Sequence, residues 1–274
     1  MQFIAVPATH FSGEQLTSVL GDCFTDYIVP FAPVVDVFVQ RFTAEGMSLV
    51  DSCIWLESDT PAAIAIVARR GHDARLAAFA VHPRHRGKGV GKRMMSALLA
   101  SLREKGVRQM WLEVIRQNPA GVALYQSLGF EVRRGLCGYV SAPQFVPEGI
   151  LQETDVLALV RRAAAEIDGS LPWVLDPFSL CTLPCQAWTL GHQAYAVISR
   201  ITAKPQLQLL WVEPRARGRG LAREMLRALG QQFPALGTSA AVPESFTPLF
   251  HGAGYTTMAI QQYEMRITLR GSPP

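Results

Sequence analysis

Two short stretches gather the residue types that could hold a phosphate. One is Val81-His82-Pro83-Arg84-His85-Arg86-Gly87-Lys88-Gly89-Val90-Gly91; the other is Val212-Glu213-Pro214-Arg215-Ala216-Arg217-Gly218-Arg219-Gly220-Leu221-Ala222. Arg86 and Arg217 stand 131 positions apart (217 − 86). The start of a helix leaves backbone N–H groups unpaired and carries partial positive charge. Glycines let that backbone approach a ligand and take φ angles closed to other residues, so the sequence describes an anion cradle. Arg84, Arg86, Lys88, Lys92 and Arg93 crowd the first of these helix starts. Cations there are disfavoured by a few tenths to about 1 kcal/mol each, and a multiply charged anion reverses the sign. A solvated basic turn is the plain alternative; its recurrence in the second stretch weighs against it. A Walker A loop is excluded, because Arg86 stands where its first glycine belongs and Arg93 where its Ser/Thr belongs. A dinucleotide fingerprint also fails, since Lys92 takes the last glycine position.

Each loop follows an apolar strand-like run, Arg75–Ala80 and Gln206–Trp211, and each leads into a helical pattern. A spacing this long means two copies of a domain, since solenoid repeats run to roughly 20–50 residues. In the first copy a strand is expected over 2–7, helices over Gly13–Phe24 and Val34–Glu45, and strands over Ser52–Glu57, Ala62–Ala68 and Leu76–Val81. A helix from Val90 to a stop at Gly106 follows, then a strand over Met110–Ile115. Asn118 is placed to cap a further helix, with Pro119 at its first position and Gly129 closing it before a strand at Phe130–Arg134. The linker is expected at Ser141–Gly149. Beyond it a helix over Thr154–Ile167, strands over Gln186–Leu190, Ala194–Ile201 and Gln206–Val212, a helix over Leu221–Leu229 and a strand pair around Tyr255–Leu269 are expected. The fold class is α+β, or three-layer: two domains, 1–142 and 150–274, each a mixed, mostly antiparallel sheet flanked by helices.

The net charge of +4 on 274 residues is too small to suggest a nucleic-acid protein. No apolar run approaches the roughly 18 residues of a membrane span. Met1–His10 lacks the regions of a signal peptide, which makes a cytoplasmic protein the expectation. Five cysteines, at 23, 53, 137, 181 and 185, include one close pair and complete no zinc set, so no metal is expected.

Arg86-Gly87-Lys88-Gly89-Val90-Gly91 resembles the acyl-CoA pyrophosphate loop of the GNAT N-acetyltransferase superfamily, and Arg217-x-x-Gly220-x-Ala222 matches the same pattern. The likeness continues through Leu112-Glu113-Val114, Asn118 and Ala123–Phe130. It implies a tandem GNAT protein that uses acetyl-CoA as co-substrate. It further implies that Tyr125 is the acid near the CoA sulfur and Glu113 a candidate base. Asn118 would hold the pantetheine arm, the backbone of Phe79, Ala80 and Val81 would pair with it, and Arg86, Gly87, Lys88, Gly89, Val90, Gly91 and Lys92 would bind phosphate. Arg217, Gly218, Gly220 and Ala222 would do so in the second copy. Attack on a thioester needs an amine that has lost its proton and a thiolate that gains one, so a base and an acid are both required. His82 and His85 read as rim residues.

The second copy departs from the pattern: Phe250 falls where Tyr125 stands, and no carboxylate matches Glu113 in register, Glu244 being close but displaced. It is expected to be catalytically degenerate. The resemblance places the acceptor against Asp26–Phe31, where apolar residues with Asp22, Asp26 and Asp36 suit a cationic, partly apolar amine. The acceptor class left open is an amine-bearing small molecule or a protein N-terminus, with neither nucleic acid nor membrane as partner. The competing expectation is a non-catalytic CoA-binding regulator or scaffold.

Overall fold

The computed structural model describes residues 2–30, 33–142, 151–167, 169, 171–202 and 204–269. Two compact units divide the chain. The first comprises the residues up to Arg133 together with those from Tyr263 on, and the second is Arg134–Gln262. This division differs from the expected one at 142/150: Arg134–Ala142 belongs to the second unit and Tyr263–Leu269 to the first.

The first unit contains β1 (Ile4–Pro7), α1 (Gly13–Cys23), α2 (Val35–Ala44), β2 (Cys53–Glu57), β3 (Thr60–Arg70), β4 (Asp73–Val81), α3 (Val90–Glu104), β5 (Gln109–Ile115) and α4 (Pro119–Ser127). Ser12 starts α1 through a reciprocal capping box with Gln15. Strands β1 to β4 form an antiparallel meander, and β5 adds in parallel to β4. Strand β3 is apolar from Pro61 to Ala68 because both its faces are covered there. Ala63, Ala65 and Val67 share a core with Met94, Met95, Leu98 and Leu102 of α3, while Ile64 and Ile66 share another with Leu16, Leu20, Phe38 and Phe42 of α1 and α2. Helices on both sheet faces make this the expected three-layer arrangement.

The remaining elements are β6 (Glu131–Ser141), β7 (Gln152–Thr154), α5 (Val156–Glu166), β8 (Cys185–Leu190), β9 (Ala194–Ser199), β10 (Gln206–Val212), α6 (Leu221–Gln232), β11 (Gly237–Thr238), β12 (Val242–Pro243), α7 (Thr247–Gly252) and β13 (Tyr255–Thr268). In the second unit β7 to β10 form the antiparallel meander and β11 lies parallel to β10. Strand β6 pairs antiparallel with β11 and β12.

The expected C-terminal strand pair is one continuous strand, β13. Its residues include no Gly, Pro, Asn or Asp, so nothing in them turns the chain. The chain passes between units inside β6 and inside β13, after which Leu269 N–H donates to the Arg108 carbonyl at 2.7 Å. Of the expected linker, residues 143–149 lie outside the described residues.

Candidate active site

Strand β4 pairs with β5 only from Asp73↔Gln109 to Leu76↔Leu112. At that point the β3–β4 register shifts, from Val67↔Leu76 to Ile66↔Ala78, which leaves Ala77 as the extra residue of a bulge. Beyond it β4 stays on β3 as far as Val81 but parts from β5. Its edge at Phe79–Val81 is therefore left without a strand partner on the β5 side.

The basic loop stands at the end of this opening. Pro83–His85 makes a turn of 3-10 helix, Arg86 is extended, and Gly87 and Gly89 take φ of 72° and 71°. Gly89 precedes α3 without any side-chain cap, so the first N–H groups of the helix face outward without a side-chain acceptor. A Cβ at Gly87 or Gly89 would meet nothing within 4 Å, so glycine serves the backbone angle there. At Gly91 a Cβ would find ordinary contacts of 3.6–3.7 Å with Val81, Leu124 and Phe79. The site has room for a methyl group, and the corresponding residue of the second copy is Ala222.

The basic side chains do not all point to a ligand. The Arg86 guanidinium donates to the carbonyls of Val81 (2.9 Å), Cys23 (2.8 Å) and Thr25 (3.1 Å), so it fastens the loop to the end of α1. Lys88 Nζ donates to the Arg84 carbonyl at 3.0 Å. Arg93 lies over the Phe3 ring at 5.1 Å, and Arg84 donates to His85 Nε2 (2.8 Å) and the Pro61 carbonyl (3.1 Å). Lys92 and Lys88 are exposed at the loop. Burial, reinforced by Arg84 and His85, lowers the pKa of His82, whose Nδ1 accepts from the Arg84 N–H at 3.4 Å.

Asn118 Oδ1 accepts from Gly121 N–H at 3.0 Å and so starts α4. Gly121 is needed for this, a requirement not visible in the residue pattern: a Cβ there would stand 2.7 Å from Asn118 Nδ2. One turn on, Tyr125 is buried with its ring edge-to-face on Phe130 at 5.7 Å. Burial, with a smaller push from the nearby Tyr27 phenol, raises the Tyr125 pKa well above its ordinary value, which keeps the hydroxyl protonated. Tyr27 belongs to the expected acceptor segment, of which Phe31 lies outside the described residues.

Glu113 occupies a different setting from the one its motif suggested. Arg75 Nε reaches both of its carboxylate oxygens, at 3.1 and 2.8 Å, and Nη2 adds a contact of 2.7 Å. The other side of the guanidinium, through Nη1, holds Glu45 at 2.6 Å. The three side chains are 5–7% exposed. Arg75 and Glu45 were not anticipated, because residues 30 apart in sequence meet only through the packing of α2 on the sheet.

The second unit repeats the strand and loop of this site at the same 131-residue offset. Its bulge falls at Gln208, its parallel pairing ends at Leu207↔Thr238, and Gly218 and Gly220 take φ of 78° and 83°. Arg217 Nε donates to the Val212 carbonyl at 3.0 Å, as Arg86 does to Val81. Phe250, however, stacks on Tyr139 with ring centroids 4.2 Å apart. No cluster able to hold a metal occurs among the described residues. All five cysteines are free, and burial pushes the Cys23 and Cys53 thiols up to about 12, which leaves them unreactive.

The Acetyltransferase (GNAT) family model matches residues 15–130. Ribosomal protein bS18-alanine N-acetyltransferase of Escherichia coli is 41% identical over 69 residues, covering 25% of this chain and 47% of that protein. The chain thus spans about half the length of that relative. Streptothricin acetyltransferase of Streptomyces lavendulae is 31% identical over 142 residues, covering 45% of this chain and 69% of that one. A solved tandem GNAT protein from the clavulanic acid biosynthesis pathway superposes with a TM-score of 0.67 at 13% identity, over 99% of both chains. The chain belongs to the GNAT acetyltransferase family, and its fold is that of a tandem member. Among the described residues no helix is long and apolar enough to cross a membrane.

Proposed function

We propose that the first unit transfers an acetyl group from acetyl-CoA to a primary amine by direct attack, with Tyr125 as the acid that protonates the departing thiolate. The observation that carries this reading is the joint arrangement of the opening after Leu76↔Leu112, the uncapped start of α3 above it and the buried, protonated phenol of Tyr125 on α4. The loop amides after Gly87 and Gly89, with Lys88 and Lys92, would take the diphosphate. The free edge of Phe79–Val81 and Asn118 would take the pantetheine arm, and a β4 amide would polarise the thioester carbonyl.

Glu113 remains the candidate base, with a constraint. Arg75 occupies both of its oxygens, so only the remaining lone pairs could draw a proton from the amine, through an intervening water. The acceptor is an amine-bearing small molecule or a protein N-terminus, received beside Tyr27. The names of the relatives, one acting on a ribosomal protein and one on streptothricin, span both classes.

Thiol release from acetyl-CoA in the presence of a panel of amines tests the proposal. Tyr125→Phe should lower kcat about 100-fold or more with acetyl-CoA affinity little changed. An unaltered kcat removes Tyr125 from this role. Acetyl-CoA binding without thiol release for any amine class would favour a regulator over an enzyme.

A further inference from the structure

Arg75 and Glu113 meet where β4 and β5 of the first unit part. Arg75 is opposite Trp111, and Glu113 is the first residue of β5 beyond the final pair, Leu76↔Leu112. The second unit parts its strands in the same register, with neither residue in place. Gln206 stands where Arg75 does, one residue before the last pair, Leu207↔Thr238, and Ser239 follows Thr238 as Glu113 follows Leu112. The Ser239 hydroxyl accepts from the Ala241 N–H at 3.2 Å, a bond within its own segment. Bulge and opening therefore form without the ion pair, so the backbone does not require it. Stability does not explain it either. Buried ions lose hydration that their attraction repays only in excellent geometry, and well-packed apolar residues in their place are often no worse. The pair stands in the copy that has Tyr125, and both its members are replaced in the copy that has Phe250.

We propose that Arg75 is a positioning residue for acetyl transfer, acting through Glu113. Its Nε and Nη2 form a planar fork across both carboxylate oxygens, at 2.7–3.1 Å, which fixes the plane of the carboxylate as a single-point cation could not. Glu45, at the end of α2, braces the guanidinium from its other side through Nη1 at 2.6 Å and also holds Arg41. An arginine stays charged and so takes no proton itself. Its part is to leave the remaining lone pairs of Glu113 aimed in one direction while the amine loses its proton. The inference rests on reading Glu113 as the base and adds the residue that orients it.

Arg75→Lys tests it, because the variant keeps the charge and loses the fork; thermal melting checks that it folds. Thiol release from acetyl-CoA is followed with 2-phenylethylamine and alanine amide in the amine panel. At pH 7 the variant should lower kcat/KM for 2-phenylethylamine about tenfold or more, with the KM for acetyl-CoA within about twofold of native. A base matters only while the amine is protonated. The deficit should therefore be smaller for alanine amide, with an α-amino pKa of about 8, than for 2-phenylethylamine, lysine-like at about 10, and should shrink for both by pH 9. In a Glu113→Gln background Arg75→Lys should change kcat/KM by less than about twofold. A deficit that persists undiminished at pH 9, or that is the same in both backgrounds, leaves Arg75 with a packing role only and overturns the proposal. If Glu113→Gln turns over like the native chain, the reading of Glu113 as base falls and this inference with it. If no amine releases thiol with the native chain, the reading of the first unit as an enzyme falls.

Discussion

Replacing Arg75 by methionine would strand two carboxylates inside the first unit. The guanidinium, 5% exposed, now holds Glu113 at 2.7–3.1 Å and Glu45 at 2.6 Å. Methionine fills much of the same space without charge. Glu45 keeps Arg41 at 2.9 Å, but that arginine is 54% exposed and compensates weakly. Breaking a buried pair by removing one partner costs about 3–5 kcal/mol, enough to lower the melting temperature of a unit this size by about 10 °C. The pH dependence gives a sharper test. Burial alone would raise the Glu45 pKa, yet Arg41 and Arg75 together, by charge and hydrogen bond, hold it below its ordinary value. Such a group adds stability that is present above the unfolded pKa of about 4.3 and is lost as pH falls through the folded value. Without Arg75, Glu45 keeps only the half-exposed Arg41 against the burial that disfavours its charge, so its carboxyl shifts toward the neutral form. The deficit of Arg75→Met should therefore shrink between pH 8 and pH 5. Hydrogen exchange of peptides covering β4 and β5, measured at both values, reads the opening free energy locally. A deficit under about 1 kcal/mol, or one equal at the two pH values, would refute the argument that this ion pair joins α2 to the sheet.

Arg86→Met should lower the stability of the first unit by about 1–2 kcal/mol, an estimate reduced because the residue is exposed. It should also weaken acetyl-CoA binding by loosening the loop from the carbonyls of Cys23 and Thr25; thermal melting and titration check both. Arg86→Lys should restore little, since a lysine cannot span three carbonyls. Gly89→Ala should cost about 1–2 kcal/mol for its left-handed backbone, without a clash. Gly91→Ala should be neutral or stabilising by up to about 1 kcal/mol; the order of the two melting temperatures decides.

Features carried by local chemistry were legible in the sequence. The glycine-punctuated loop, the Asn118 cap and the helical spacing of Val90, Met94, Leu98 and Leu102 all depend on residues close together. The bulge at Ala77 was not legible, because it is defined by pairing with β3 and Ala77 looks like any small apolar strand residue. Nor was the strand exchange, since β6 and β13 carry no break where they leave one unit for the other. The destination of Arg86 was hidden for a related reason. A side chain in a basic loop was read as a ligand, yet the end of α1, some sixty residues earlier, supplies the carbonyls it holds.

The two copies separate what backbone encodes from what side chains encode. The bulge, the two positive-φ glycines and the arginine bond to a carbonyl five residues back all recur at one offset. Each depends on backbone geometry, with glycine or arginine as the only essential types, so substitutions elsewhere leave them standing. Proton transfer depends on single atoms. On the proposed reading, one aromatic exchange, Phe250 in the place of Tyr125, removes the acid, while the loop keeps its backbone shape. Stacking on Tyr139 then gives that ring a packing role and ties it into the core of the second unit.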